Sequence, residues 1–157
     1  MNDSPDLTVR RAGPGDAEVI ARLLYDFNTE YDEPVPEPDA LAPRIRELME
    51  AGEILVLLGG SGPDGLALMR FRPALVMEGI DCYLEEFYVV PHLRGKGLGR
   101  AMMEAAMDAA RERGATRMDL GTSEDDVAAR VLYERLGFTN REGKADGPIM
   151  YYYEREL

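Results

Sequence analysis

His92-Leu93-Arg94-Gly95-Lys96-Gly97-Leu98-Gly99-Arg100 is a glycine-punctuated turn set between two unlike patterns. Before it, Leu84-Glu85-Glu86-Phe87-Tyr88-Val89-Val90 is aromatic and β-branched, which predicts a strand, and Pro91 ends it. After it, apolar residues recur at Leu98, Ala101, Met102, Ala105 and Ala109, the spacing of one helix face. A strand therefore runs through a tight turn into a helix. The N-terminus of a helix carries unpaired N–H groups and about half a positive charge, so this geometry favours an anion. Glycines let a phosphate approach those N–H groups closely, and Arg94, Lys96 and Arg100 add cationic side chains. A polyphosphate is the expected ligand.

Two familiar phosphate loops are excluded by spacing. A Walker A loop requires four residues between its first Gly and a Gly-Lys-Ser/Thr, and no such spacing exists here. Counting from Gly95 or Gly97 puts Arg100 or Met102 where the third glycine of a dinucleotide fingerprint belongs. What remains is Arg-x-x-Gly-x-Gly at Arg94, Gly97 and Gly99, after a Val-Val-Pro strand end. That pattern resembles the coenzyme A pyrophosphate loop of the GCN5-related N-acetyltransferase (GNAT) superfamily. Further along, Ala129-Arg130-Val131-Leu132-Tyr133-Glu134-Arg135-Leu136-Gly137-Phe138 is similar to the same family's Ala-x-x-Leu-Tyr-x-x-x-Gly-Phe signature. Leu84-Glu85-Glu86-Phe87 also resembles the Leu-Glu-Asp-Phe strand of diamine acetyltransferases.

The remaining chain agrees with that resemblance. Leu7 to Arg10 is a short strand, and Asp16 is an N-cap for a helix along Val19, Ile20, Leu23, Leu24 and Phe27. Glu30 to Pro38 holds three prolines and four acids with no base, which excludes regular structure. Asp39 caps a helix through Leu41, Ile45, Leu48 and Met49. Strands at 54–58 and 66–71, joined by a glycine-rich loop, form a hairpin, and the 82–90 strand is third in this meander. After the glycine turn and its helix, Met118 to Leu120 is a parallel strand. Ser123 and Asp126 resemble a capping box for a helix through Val127, Val131, Leu132 and Leu136. Phe138 to Arg141 and Ile149 to Glu154 are closing strands, and the alternation of Tyr151, Tyr152 and Tyr153 predicts at least one packed ring. The order β-α-α-β-β-β-α-β-α-β-β is an α+β fold, a mixed sheet with helices on both faces. It is the GNAT element order, and residues 1–157 read as a single domain.

Composition narrows the partners. Eighteen basic against thirty acidic side chains (net −12) disfavour nucleic acid and anionic membranes. One cysteine excludes an internal disulfide and a cysteine-based zinc site, and no metal site is expected. Neither a signal peptide nor an apolar run of membrane-spanning length is evident, so a cytoplasmic location is expected.

The resemblance implies transfer of an acetyl group from acetyl-coenzyme A to an amine. It places Tyr133 as the acid that protonates the leaving thiolate, where helix periodicity alone makes it a packed tyrosine. It places Glu85 at the acceptor side as the base, with Glu86 in reserve, since alternate residues of a strand face opposite ways. Phe87, Tyr88 and Val89 become cofactor contacts through backbone, with a main-chain N–H near Val89 as oxyanion donor. Arg94, Gly95, Lys96, Gly97, Leu98, Gly99 and Arg100 hold the pyrophosphate. Asp126 stands where the family often has Asn; it either contacts the pantetheine or serves only as the helix's N-terminal acid. Tyr25, Glu30 and Tyr31 border the acceptor site, where the acidic 30–37 segment either attracts a cationic amine or is simply solvated. A homodimer is compatible with the family's habits. The rival reading is a non-catalytic acyl-coenzyme A sensor that binds the cofactor without transfer.

Overall fold

Runs of β-branched and leucine residues pair into one sheet of five strands: β1 (Val9–Arg11), β2 (Leu55–Gly59), β3 (Gly65–Pro73), β4 (Ile80–Val89) and β5 (Ala115–Leu120), in that spatial order. The first four form an antiparallel meander and β5 joins β4 in parallel, so the sheet is mixed. The computed structural model describes residues 4–157, in two compact units, 4–120 and 121–157. The sheet belongs to the first, with α1 (Ala17–Glu30), α2 (Pro38–Glu50) and α3 (Leu98–Glu112); the second contains α4 (Val127–Arg135).

Alternation along the strands decides which helix covers which face. Val56, Leu58, Leu66, Leu68 and Tyr88 join Ile20, Leu24 and Ile45 of α1 and α2 in one buried cluster. The opposite face receives α3. There Gly59 and Gly65 stand opposite each other in register, and a Cβ on Gly59 would lie 2.7 Å from the Met102 sulfur. The paired glycines make the slot that α3 needs, and Met102 is fully buried in it. Burial of a side chain of this size contributes about 1.5–3 kcal/mol.

Local details differ from the sequence reading in several places. The Asp16 carboxylate does not cap α1; it accepts from the Gly13 N–H (2.9 Å) and from Arg10 (2.7 and 2.9 Å) across a short 3-10 turn. These bonds pull its pKa down to about 2, the Arg10 contact most of all. Asp39 lies inside the first turn of α2, whose N-cap position is Glu37. The cap of α4 is Asp126, accepting from the Ala129 N–H at 3.2 Å, rather than Ser123. Val127 and Val131, expected on the apolar face of α4, are exposed, and Tyr133 is its buried residue.

After α4, the two segments read as closing strands meet at one bridge, Arg141 opposite Ile149, with the Met150 N–H donating to the Asn140 carbonyl at 2.7 Å. Tyr151, Tyr152 and Tyr153 are 73%, 71% and 86% exposed, so none packs as expected. Strand propensity is expressed through cross-strand neighbours, and among the described residues Tyr151, Tyr152 and Tyr153 form no strand or bridge. Among the described residues no helix is long and apolar enough to cross a membrane, and no three potential metal ligands cluster.

Candidate active site

The decisive local feature is a bulge in β4. Leu68 of β3 pairs with Glu86, and Met69, the next residue, pairs with Leu84, so Glu85 is the extra residue. Strict alternation would send Glu85 and Glu86 to opposite faces, and that expectation is corrected here. Glu86 stands opposite Leu68, on the face of α1 and α2. Glu85 reaches Arg70, whose side chain shares that face with Leu66 and Leu68. The bulge thus brings both carboxylates to one surface.

Their environments differ. Glu85 accepts from the Arg70 Nε at 2.6 Å in a half-exposed ion pair. Glu86 is raised from the ordinary carboxylate range to about 7, chiefly by burial and then by the neighbouring Glu85 charge. A carboxyl that titrates near neutrality can accept a proton at neutral pH and pass it on. Tyr83 pairs in register with Arg70, and Asp119 of β5 pairs with Tyr83, which adds a third carboxylate to this face. Asp119 Oδ1 is buried and has no hydrogen-bond partner among the described residues. Neither Arg70 nor Asp119 was foreseen; a lone arginine inside the apolar run 66–71 was the available signal.

The second half of β4 is open on one side. Its parallel register with β5 ends at Leu84 opposite Leu120, the last residue of β5. Glu86 to Val89 continue paired with β3. The Val90 N–H donates to the Asp64 carbonyl at 2.9 Å, on the β3 side. Backbone groups alternate in an antiparallel ladder, so the Val89 N–H and C=O point to the side that β5 has left. There the Val89 carbonyl accepts from the Arg94 Nε at 2.8 Å. Tyr88 faces the α1–α2 cluster and stacks with Phe27 (5.2 Å), while Phe87 points to the α3 side.

The glycine turn follows. Gly95 and Gly97 have φ of +72° and +98°, and Gly97 is the N-cap of α3 with no side-chain cap bond. Nothing lies within 4 Å of where a Gly95 Cβ would be. The first N–H groups of α3 have no side-chain cap, and Lys96 and Arg100 are exposed beside them. Arg100 is paired with Glu104 at 3.0 Å, whereas Leu98 is fully buried and Gly99 lies in the first turn.

Of the expected acceptor residues, Glu30 ends α1 with both carboxylate oxygens on the Arg94 Nη2 (2.8 and 3.0 Å). Tyr31 is half-exposed and edge-on to Phe27 at 5.4 Å, and Tyr25 is half-buried on α1. In the other unit, Tyr133 is 8% exposed with its ring 6.0 Å from that of Phe138. The Asp126 carboxylate is engaged at the start of α4, in the acid role left open for it.

The acetyltransferase (GNAT) family model matches residues 20–138. The chain belongs to the GNAT acetyltransferase family. It is 30% identical to the uncharacterized N-acetyltransferase YjgM of Escherichia coli (strain K12), over 83% of this chain and 80% of that protein. To the aminoglycoside N(6')-acetyltransferase type 1 of Stenotrophomonas maltophilia it is 28% identical, over 86% of this chain and 88% of the relative. A crystal structure from Arthrobacter sp. FB24, provisionally named an acetyltransferase, superposes with a TM-score of 0.86 at 42% identity, covering 96% of both chains. The mixed sheet and the order of its elements are those of GNAT acetyltransferases, and the chain is an N-acetyltransferase of this family.

Proposed function

We propose that this GNAT protein transfers an acetyl group directly from acetyl-coenzyme A to the primary amine of a small cationic molecule or a peptide. The observation that carries the reading is the side-by-side placement, on β4, of a carboxyl titrating near 7 and a strand end whose N–H turns away from its partner strand. Acetyl-coenzyme A, when bound, supplies the activated acyl group as a thioester. The backbone N–H groups at the start of α3, with Lys96 and Arg100, fit its phosphates. The open edge of β4 fits its extended arm.

The chain's own groups divide the remaining work. Glu86, the reserve candidate, takes the proton that a protonated amine must lose before it can attack; its raised pKa supports it over Glu85, whose carboxylate is paired with Arg70. The Val89 N–H is the donor for negative charge developing on the acyl oxygen. Tyr133, at the family's acid position, protonates the leaving thiolate. Glu85, Glu86 and Asp119 give the acceptor face an excess of negative charge over Arg70, which suits a cationic amine.

Thiol release from acetyl-coenzyme A, measured with a panel of amines for wild type and Tyr133→Phe, tests the reading. The panel comprises spermidine, an aminoglycoside, free amino acids, and peptides with a free lysine or N-terminus. Release that requires one acceptor class and drops in the variant is expected. Coenzyme A binding without release for any amine would favour the sensor reading instead.

A further inference from the structure

Arg94 opens the Arg-x-x-Gly-x-Gly motif, where a side chain free to reach a phosphate is expected. Its guanidinium is engaged elsewhere. Nε donates to the Val89 carbonyl at 2.8 Å, and Nη2 donates to both oxygens of Glu30 at 2.8 and 3.0 Å. The same group lies over the Tyr88 ring, 5.6 Å from its centre. Tyr88 stacks on Phe27, and Phe27 meets Tyr31, so an aromatic row backs the pair. The planar fork of an arginine satisfies a carbonyl and a carboxylate at once; an ammonium has no equivalent geometry.

Val89 is the last residue of β4, and Glu30 is the last residue of α1. One side chain therefore joins the open strand end to the helix that leads into the acidic 31–37 loop. We propose that Arg94 is a positioning residue rather than a phosphate ligand: it fixes the end of β4 against α1, and Glu30 orients it. The anion is left to the backbone N–H groups at the start of α3 and to the exposed Lys96 and Arg100. Glu30 then acts on the reaction through Arg94 and the β4 backbone, not by touching the acceptor. A displacement of about 1 Å at a reacting centre costs about a hundred-fold in rate, so a clamp on the β4 end is felt in turnover.

The kinetic arm of the test rests on the acyl-transfer reading, whereas its binding and folding arms do not. Arg94→Lys, Arg94→Gln, Glu30→Gln and the double variant Glu30→Gln/Arg94→Gln are compared with wild type. Coenzyme A affinity is measured by calorimetry, unfolding without ligand by thermal melting, and turnover by thiol release. Expected is a kcat loss of about ten-fold or more in Arg94→Gln and Arg94→Lys alike, with the Kd for coenzyme A within about three-fold of wild type. Glu30→Gln should reproduce the kcat loss in kind, and the double variant should melt no lower than the worse single variant, as two partners of one contact do. A Kd raised ten-fold or more by Arg94→Gln, restored by Arg94→Lys, with kcat unchanged, would make Arg94 a phosphate ligand and overturn the proposal. A wild type that binds coenzyme A but acetylates no amine defeats the transfer reading alone; the Kd and melting comparisons still decide the part played by Arg94.

Discussion

From Ile80 to Leu84, β4 is paired on both sides, to β3 and to β5; from Glu86 to Val89 its sheet partner is β3 alone. Each half holds a titratable group shifted by burial. In the first half the Cys82 thiol is fully buried and pushed up to about 11, by burial and then by the charge of Asp119. In the second half burial and Glu85 lift Glu86 to about 7. The same desolvation has opposite consequences. A thiol raised to 11 stays protonated and inert at neutral pH, whereas a carboxyl raised to 7 becomes a base matched to its surroundings. Chemistry is expected where the parallel pairing has ended, and packing where it persists.

Removing the proposed base, in the second half, should have the largest effect. Glu86→Gln is expected to lower kcat/KM at neutral pH by about a hundred-fold, the lower end of general acid–base contributions. The same change should stabilise the protein at alkaline pH. A carboxyl with a raised folded pKa binds more protons folded than unfolded, so stability falls as pH rises from about 4.5 to about 7. Thermal melting should therefore show Glu86→Gln above wild type at pH 8 and level with it at pH 4. A variant that is slower yet more stable is hard to explain by a packing role.

Tyr133→Phe, which keeps the ring of a buried residue and removes its hydroxyl, should lower kcat by about ten-fold or more, followed by thiol release. If turnover is unchanged, Tyr133 belongs to packing, as Cys82 does. Glu85→Gln sharpens the comparison differently. It removes a charge that raises Glu86, so the acidic limb of the pH–rate profile should move to lower pH, while the plateau rate changes by less than about three-fold. The smallest effect is expected in the first half of the strand. Cys82→Ala should leave kcat within about two-fold across the pH range and register only as a modest loss of melting temperature.

The parts of the fold carried by local pattern were legible from the sequence. Leu98 and Met102 of the expected α3 face are fully buried, while Ala101, Ala105 and Ala109 are half-buried and Met103, Ala106 and Ala110 complete the buried face; Gly97 and Gly114 bound that helix with positive φ. What escaped were features created by long-range pairing. Nothing near Glu85 signals a bulge, because the bulge is a register relation with Leu68 and Met69. The Glu30–Arg94 pair joins residues 64 apart in sequence, so spacing could suggest a role for each but not their contact. Residue type alone makes Asp16 and Ser123 caps, yet a carboxylate goes to the nearest strong donor, and for Asp16 that is Arg10. The tyrosine run shows the converse error: strand propensity was present, but the cross-strand neighbours that would use it were not.

The central claim is that Glu86 is the base of the reaction, and one pH–rate profile tests it most directly. Thiol release with the preferred amine, measured from pH 5 to 9 in wild type and Glu86→Gln, should rise through about pH 7 in wild type as Glu86 loses its proton. In the variant that limb should be absent and the residual rate low throughout. The same limb at the same pH in Glu86→Gln would contradict the claim and assign the proton to another group.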